Sequence, residues 1–188
     1  MNVDLAIRSR RSSKQFSGVA LPRTEVDALL ELASWAPTHR MTQPWRFTCL
    51  DQAALGRLAT WLPQQADIVA FPDPAKGAAK LAKLTIMLSG LGAMVVVTWV
   101  RATDPVVDLE DHAAASAAVQ NLLLAATARG LGSFWSTNQA LAHHRTLAHL
   151  GCGPDEACLG AIWLGTATAP AATPARLPLA DRRRWCDG

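Results

Sequence analysis

Charge is what this chain has least of. Only 18% of its 188 residues are Asp, Glu, Lys or Arg, against roughly 25% in an ordinary soluble domain. Half of the residues are hydrophobic, which excludes disorder, since that needs few apolar residues and many charges. A run long enough to cross a bilayer is also lacking. The longest weakly polar stretch, residues 113–128, carries Gln120 and Asn121 near its middle and falls short of the roughly 20 apolar residues that a spanning helix needs. The N-terminal segment has Asp4, Arg8, Arg10 and Arg11 where a signal peptide would have its apolar stretch. The four cysteines, Cys49, Cys152, Cys158 and Cys186, form no C-x-x-C pair and no His–Cys metal spacing, and read as free thiols. No G-x-S-x-G elbow and no P-loop occurs. The net charge of +3 is too small to point to nucleic acid. The expectation is a cytoplasmic chain with no nucleic-acid, membrane or metal partner. It has too few charges to cover its surface, so part of that surface is either small Ala residues or buried against a partner.

The length suits one domain over residues 1–188. The order of helical and strand patterns is that of an α+β or α/β fold. Residues 3–8 predict a short helix. In the next, with Thr24 as the expected N-cap, Val26, Leu29, Leu30 and Ala33 share one face. Residues 45–50 and 93–100 read as strands, the second buried on both faces because its β-branched residues run together. Helices are expected over 53–61 and 75–88, the latter with Lys76, Lys80 and Lys83 on its wet side. The longest helix, 110–129, is apolar or small all round and is expected to be buried on every side, with Gly130 just past its end. Residues 133–136 and 157–166 read as strands and 144–150 as a helix. Residues 167–188, with Pro170, Pro174 and Pro178 and a basic run at 182–184, read as an irregular C-terminal arm.

Three segments carry residues suited to chemistry. In Arg10-Arg11-Ser12-Ser13-Lys14-Gln15-Phe16, guanidinium forks, an ammonium and hydroxyls offer themselves to a phosphate, although a solvated basic turn has the same composition. In Pro37-Thr38-His39-Arg40-Met41-Thr42-Gln43-Pro44, two prolines stiffen a polar loop between a helix and a strand. Gly130-Leu131-Gly132-Ser133-Phe134-Trp135 follows a helix, so the dinucleotide fingerprint fails on context and a helix cap leading into a strand is the simpler reading. Asp108, Glu110, Asp111 and His112 are explained more simply by helix capping than by a metal.

Together these segments resemble the FMN-dependent nitroreductase family, and in particular its small NAD(P)H nitroreductase branch. The resemblance rests on Arg10-Arg11-Ser12-x-Lys14-x-Phe16, Ala36-Pro37-Thr38-His39 with Gln43-Pro44-Trp45-x-Phe47, Gly130-Leu131-Gly132 with Phe134-Trp135, and Leu164-Gly165-Thr166.

The resemblance implies an α+β fold, a central mainly antiparallel sheet flanked by helices, in an intertwined homodimer with FMN sites lined by both chains. It implies that Arg10, Arg11 and Ser12 hold the ribityl phosphate and that Lys14 lies near the pyrimidine edge, where it tunes the flavin by stabilising negative charge that reduction places near N1 and O2. Thr38, His39 and Gln43 would line the cofactor from the loop, and Trp135, Ser136 and Thr137 from the late strand. Arg176 loosely resembles a basic residue that helps bind phosphate in some members. The small branch tends to have Arg where this chain has Ser136, which removes one charged contact. The implied activity is hydride transfer from NAD(P)H through flavin N5 to a nitroaromatic, quinone or similar small acceptor, with one site used twice in a ping-pong cycle and no catalytic side chain required. The alternatives are a flavin-binding or storage protein without efficient reductase activity, and a member that uses FMN for dehydrogenation or dehalogenation.

Overall fold

A computed structural model describes residues 1–69, 73–172 and 175–186. Four antiparallel strands form one sheet in the order β1-β2-β4-β3: β1 Trp45–Leu50, β2 Ala93–Val100, β3 Gly132–Ser136 and β4 Glu156–Gly165. The helices are α1 Val3–Ser9, α2 Arg23–Ala33, α3 Gln52–Trp61, α4 Pro74–Ser89, α5 Pro105–Ala128, α6 Gln139–Ala142 and α7 His144–His149.

The apolar run of β2 is explained by helices on both faces of the sheet. Ala93, Val95 and Val97 pack with α2 and α5, whereas Met94 and Val96 turn to the layer formed by α3, α4, α6 and α7. Strand alternation thus places half of each central strand in each core. Ile162 and Leu164 of β4 follow the first set, Ala161 and Trp163 the second. On α2, Val26, Leu29 and Ala33 are buried and Leu30 is partly buried, as the spacing predicts.

Two local expectations fail. The residue preceding α2 is Pro22, without a side-chain cap, and Thr24 lies inside the first turn. Proline fits there because its fixed φ is already near helical and a first-turn N–H has no partner to lose. The long helix starts at Pro105, five residues before the expected start, because Asp104 takes the N–H groups of Val106 and Val107.

Nor is α5 covered on every side. Asp111, Ala115, Ala118, Leu122 and Ala126 face the sheet, but Leu109 and Val106 stand 69% and 65% exposed, and Ala113 and Gln120 are open. Val3, Leu5 and Ile7 of α1 are exposed as well, as are Leu177, Leu179 and Trp185 beyond β4. Much of the apolar surface that the low charge announced therefore lies on α1, the outer strip of α5 and the C-terminal arm, while Val19, Leu32, Trp35, Met41 and Ile86 are exposed elsewhere. In the described part of that arm, residues 167–172 and 175–186, the elements are a bridge from Ala167 to Phe16 and a 3-10 turn at Leu179–Arg182. Pro174 lies outside the described residues. No described helix is long and apolar enough to cross a membrane.

Candidate functional site

The basic segment is woven into the sheet by its backbone. Ser12 bridges Ser133 in parallel register, and the Ser13 N–H donates to the Ser133 carbonyl at 2.9 Å. Further along, the Ser17 N–H donates to Thr166 and the Thr168 N–H to Gln15. Two glycines make the fit possible: a Cβ on Gly132 would meet Ala167 and Ser13, and one on Gly165 would meet the Phe16 ring. Backbone pairing fixes the segment and leaves side chains available. Arg10 is half-buried, Ser12 and Lys14 are exposed, and neither guanidinium nor hydroxyl of Arg10 and Ser12 has a partner among the described residues. Lys14 Nζ lies 5.0 Å from the centre of the Phe134 ring. Arg11 is turned to its own chain, with Nη1 donating to the Arg8 and Arg10 carbonyls.

Two buried polar atoms beside this segment, Arg11 Nε and Ser133 Oγ, have no hydrogen-bond partner. Such groups are rare in folded proteins. With the Arg10 guanidinium and the Ser12 hydroxyl of the same segment they are donors of the kind that suits an anion carrying several oxygen atoms, whereas Lys14 lies over Phe134, which alternates to the other face of β3 from Ser133.

β3 divides the late residues between the faces of the sheet. Phe134 packs edge-on against Trp163, 5.3 Å between ring centres. Trp135 turns to the opposite layer, where its Nε1–H donates to the Leu159 carbonyl. That carbonyl is available because Leu159 is the extra residue of a β-bulge, with Val97 opposite Gly160 and Thr98 opposite Cys158. Ser136 is buried and Thr137 is exposed at the strand end. Arg176 is exposed on the arm. The structure does not bring the Trp135 and Lys14 side chains to the same face.

The polar loop is built differently. Arg40, Met41 and Gln43 have φ of 51°, 55° and 44°, the left-handed region that costs a non-glycine residue about 1–2 kcal/mol. Side chains hold this shape. Thr38 Oγ1 accepts the Gln43 N–H at 3.0 Å and pairs with Thr42 Oγ1 at 3.0 Å. Thr42 donates to Asp111 Oδ1 at 2.6 Å. His39 Nδ1 stands 3.9 Å from Glu110 Oε2. His39 and Gln43 are exposed and Thr38 is half-buried.

Sequence reasoning assigned Asp111 to helix capping. The cap is Asp104, and Asp111 lies nearly two turns inside α5, only 5% exposed. An acid in register with Ala115, Ala118 and Leu122 on the apolar face was the signal that distinguishes it. Asp108 has yet another role: hydrogen bonds from Arg101, Trp99 and Ala102 pull its carboxyl down to about 2. No metal-binding group of three side chains occurs among the described residues. All four cysteines are free, and burial pushes the Cys152 and Cys158 thiols up, away from nucleophilic use.

The two polar sets occupy opposite ends of α5. The loop reaches Glu110 and Asp111, while Arg11 and Ser13 share a cleft of about 520 Å³ with Thr127 and Gly132. Along a helix, Asp111 and Thr127 are about 24 Å apart.

The family model described as the Nitroreductase family matches residues 7–166. The chain belongs to the nitroreductase family. A Bacillus subtilis relative named "Putative NAD(P)H nitroreductase YfhC" is 28% identical over 94% of this chain and 90% of its own. The structure of a nitroreductase-like family protein from Bacillus cereus superposes with a TM-score of 0.88 at 23% identity, covering 100% of this chain and 97% of that one. A Desulfovibrio desulfuricans structure, "a putative nitroreductase in complex with fmn", has a TM-score of 0.75 at 27% identity, covering 97% and 96%. This nitroreductase-family chain thus shares the fold over nearly its whole length.

Proposed function

We propose that this chain is an FMN-dependent oxidoreductase of the nitroreductase family and works as a homodimer. FMN, when bound, would take a hydride from NAD(P)H and deliver it in a second step to a nitroaromatic, quinone or similar small acceptor. Support comes from the basic segment, where Ser12 is bridged to Ser133, the Arg10 guanidinium and Ser12 hydroxyl have no partner among the described residues, and Arg11 Nε and Ser133 Oγ are buried without one. The FMN in the Desulfovibrio relative and the name of the Bacillus relative point the same way.

In this reading Arg10 and Ser12 hold the phosphate, with Arg11 Nε and Ser133 Oγ beside them, and Lys14 faces the pyrimidine edge. Thr38, His39 and Gln43 line the cofactor from the loop. Ser136 and Thr137, at the end of β3, and Arg176 on the arm complete the set, without Trp135, whose side chain lies on the other face of the sheet from Lys14. Because the loop and the basic segment meet α5 at points about 24 Å apart along its axis, one chain supplies the first and a second copy the second. Exposed apolar residues on α1, α5 and the arm give the two copies a surface to share, as obligate dimers require. No side chain needs to act as general acid, since solvent can protonate the product.

Purified protein is expected to be yellow, with a flavin spectrum that NADH or NADPH bleaches under anaerobic conditions. Protein that cannot be reconstituted with FMN would contradict the proposal. Protein that binds FMN but is not reduced by either nucleotide would instead be a flavin-binding or storage protein.

A further inference from the structure

We infer that Asp111 is the positioning residue of the cofactor loop: it acts through the Thr42 hydroxyl to hold residues 38–43 in the shape that faces the ligand. This rests on the reading of that loop as one wall of the FMN site. Three observations carry it. The loop contains three non-glycine residues in left-handed conformation, Arg40, Met41 and Gln43, and such a backbone persists only where its surroundings over-determine it. Those surroundings are a chain of hydroxyl hydrogen bonds that ends on one group: the Gln43 N–H to Thr38 Oγ1, Thr38 to Thr42, and Thr42 to Asp111 Oδ1. Asp111 is itself buried on the face of α5 that carries Ala115, Ala118 and Leu122, whereas Arg40, Met41, Thr42 and Gln43 are exposed.

The chemistry needs an acceptor at Asp111. A threonine hydroxyl has a single proton. When that proton goes to the carboxylate, the Thr42 oxygen is left as an acceptor for the Thr38 hydroxyl, and the Thr38 oxygen in turn accepts the Gln43 N–H. The carboxylate thereby sets the direction of the whole chain. Glu110 adds a second contact from the same helix turn, to His39. The loop thus meets α5 at two consecutive acids, of which the buried Asp111 is the one hydrogen-bonded to it.

The test compares Asp111→Ala and Thr42→Val, which remove the bond, with Asp111→Asn and Thr42→Ser, which keep an acceptor and a donor. Two readouts are taken: the FMN dissociation constant by flavin fluorescence, and amide hydrogen exchange of residues 39–44 in FMN-free protein. The first pair is expected to weaken FMN binding at least about tenfold and to accelerate exchange at Gln43. Asn and Ser are expected to stay within about threefold of the parent. Thr42→Val, at an exposed position, keeps the test readable if Asp111→Ala does not fold. Unchanged exchange in both bond-removing variants would overturn the inference, as would an Asn variant as impaired as Ala. A parent protein that takes up no FMN, with exchange responding as expected, would refute the cofactor reading and leave the loop anchor standing.

Discussion

The two ends of α5 solve one problem by opposite means. At the C-terminal end the segment 12–17 is positioned by its backbone, through Ser13 to Ser133 and Ser17 to Thr166, with Gly132 and Gly165 clearing the way. The Ser12 and Lys14 side chains take no part in that pairing. At the N-terminal end the backbone of residues 40–43 is strained and side chains hold it in place, through Thr38, Thr42 and Asp111. Polar residues at the first end can therefore be replaced without moving the chain. At the second, a residue that need not touch the ligand decides where the chain runs.

A change in the rod between the ends should affect both alike. Leu122 is fully buried against the sheet, and Leu122→Ala is expected to lower stability by about 2–5 kcal/mol. Denaturant unfolding in one transition would agree, and early loss of one end alone would break the comparison. At the basic end, Arg10→Ala combined with Ser12→Ala should weaken FMN binding about ten- to a hundredfold and leave the midpoint of thermal unfolding of FMN-free protein nearly unchanged. A large drop in that midpoint would mean that these side chains also position the segment.

Smaller effects sharpen the contrast in backbone strain. Gly130 has φ of 75° with open space around it, so Gly130→Ala is expected to destabilise by about 1 kcal/mol through conformation alone. Met41 has φ of 55° and is exposed, and Met41→Gly is expected to relieve strain and raise stability by up to about 1 kcal/mol. Equal signs for the two changes would contradict the description of the loop as strained. The smallest effect concerns Asp108, whose folded carboxyl lies near 2 against an ordinary 3.8. A folded value below the unfolded one gives stability that is complete above the ordinary value and is lost as pH falls through the folded one. Asp108→Asn should flatten the acid limb of a stability–pH profile in that window, and an unaltered limb would remove the Arg101 pair as its cause.

Much of the fold was legible because its signals are local. The β-branched run of β2, the face of α2 and Gly130 after α5 all follow from spacing and residue type, and the structure agrees with each. The start of α5 was missed because Asp104 lies ahead of the apolar pattern, and Thr24 reads as the cap of α2 because its hydroxyl suits one, whereas the chain enters through Pro22, which has no side-chain cap. The sites divide in the same way. The basic segment is contiguous in sequence and could be read directly. Asp111 could not, since its meaning depends on Thr42, far away in sequence and close only in the fold. The uncovered strip of α5 was also hidden: apart from Gln120, its residues Val106, Leu109 and Ala113 are apolar like those facing the core, and only the packing shows which are left open.

The central claim is that each site draws its basic segment from one chain and its loop from another. A mixed dimer tests it most directly, formed from one chain carrying Arg10→Ala with Ser12→Ala and a second carrying Thr38→Ala with His39→Ala. If sites are shared between chains, one site receives both intact halves and the other both damaged ones. FMN titration is then expected to show one site of parental affinity per dimer. Two equally weakened sites and none of parental affinity would place each site within a single chain and contradict the account.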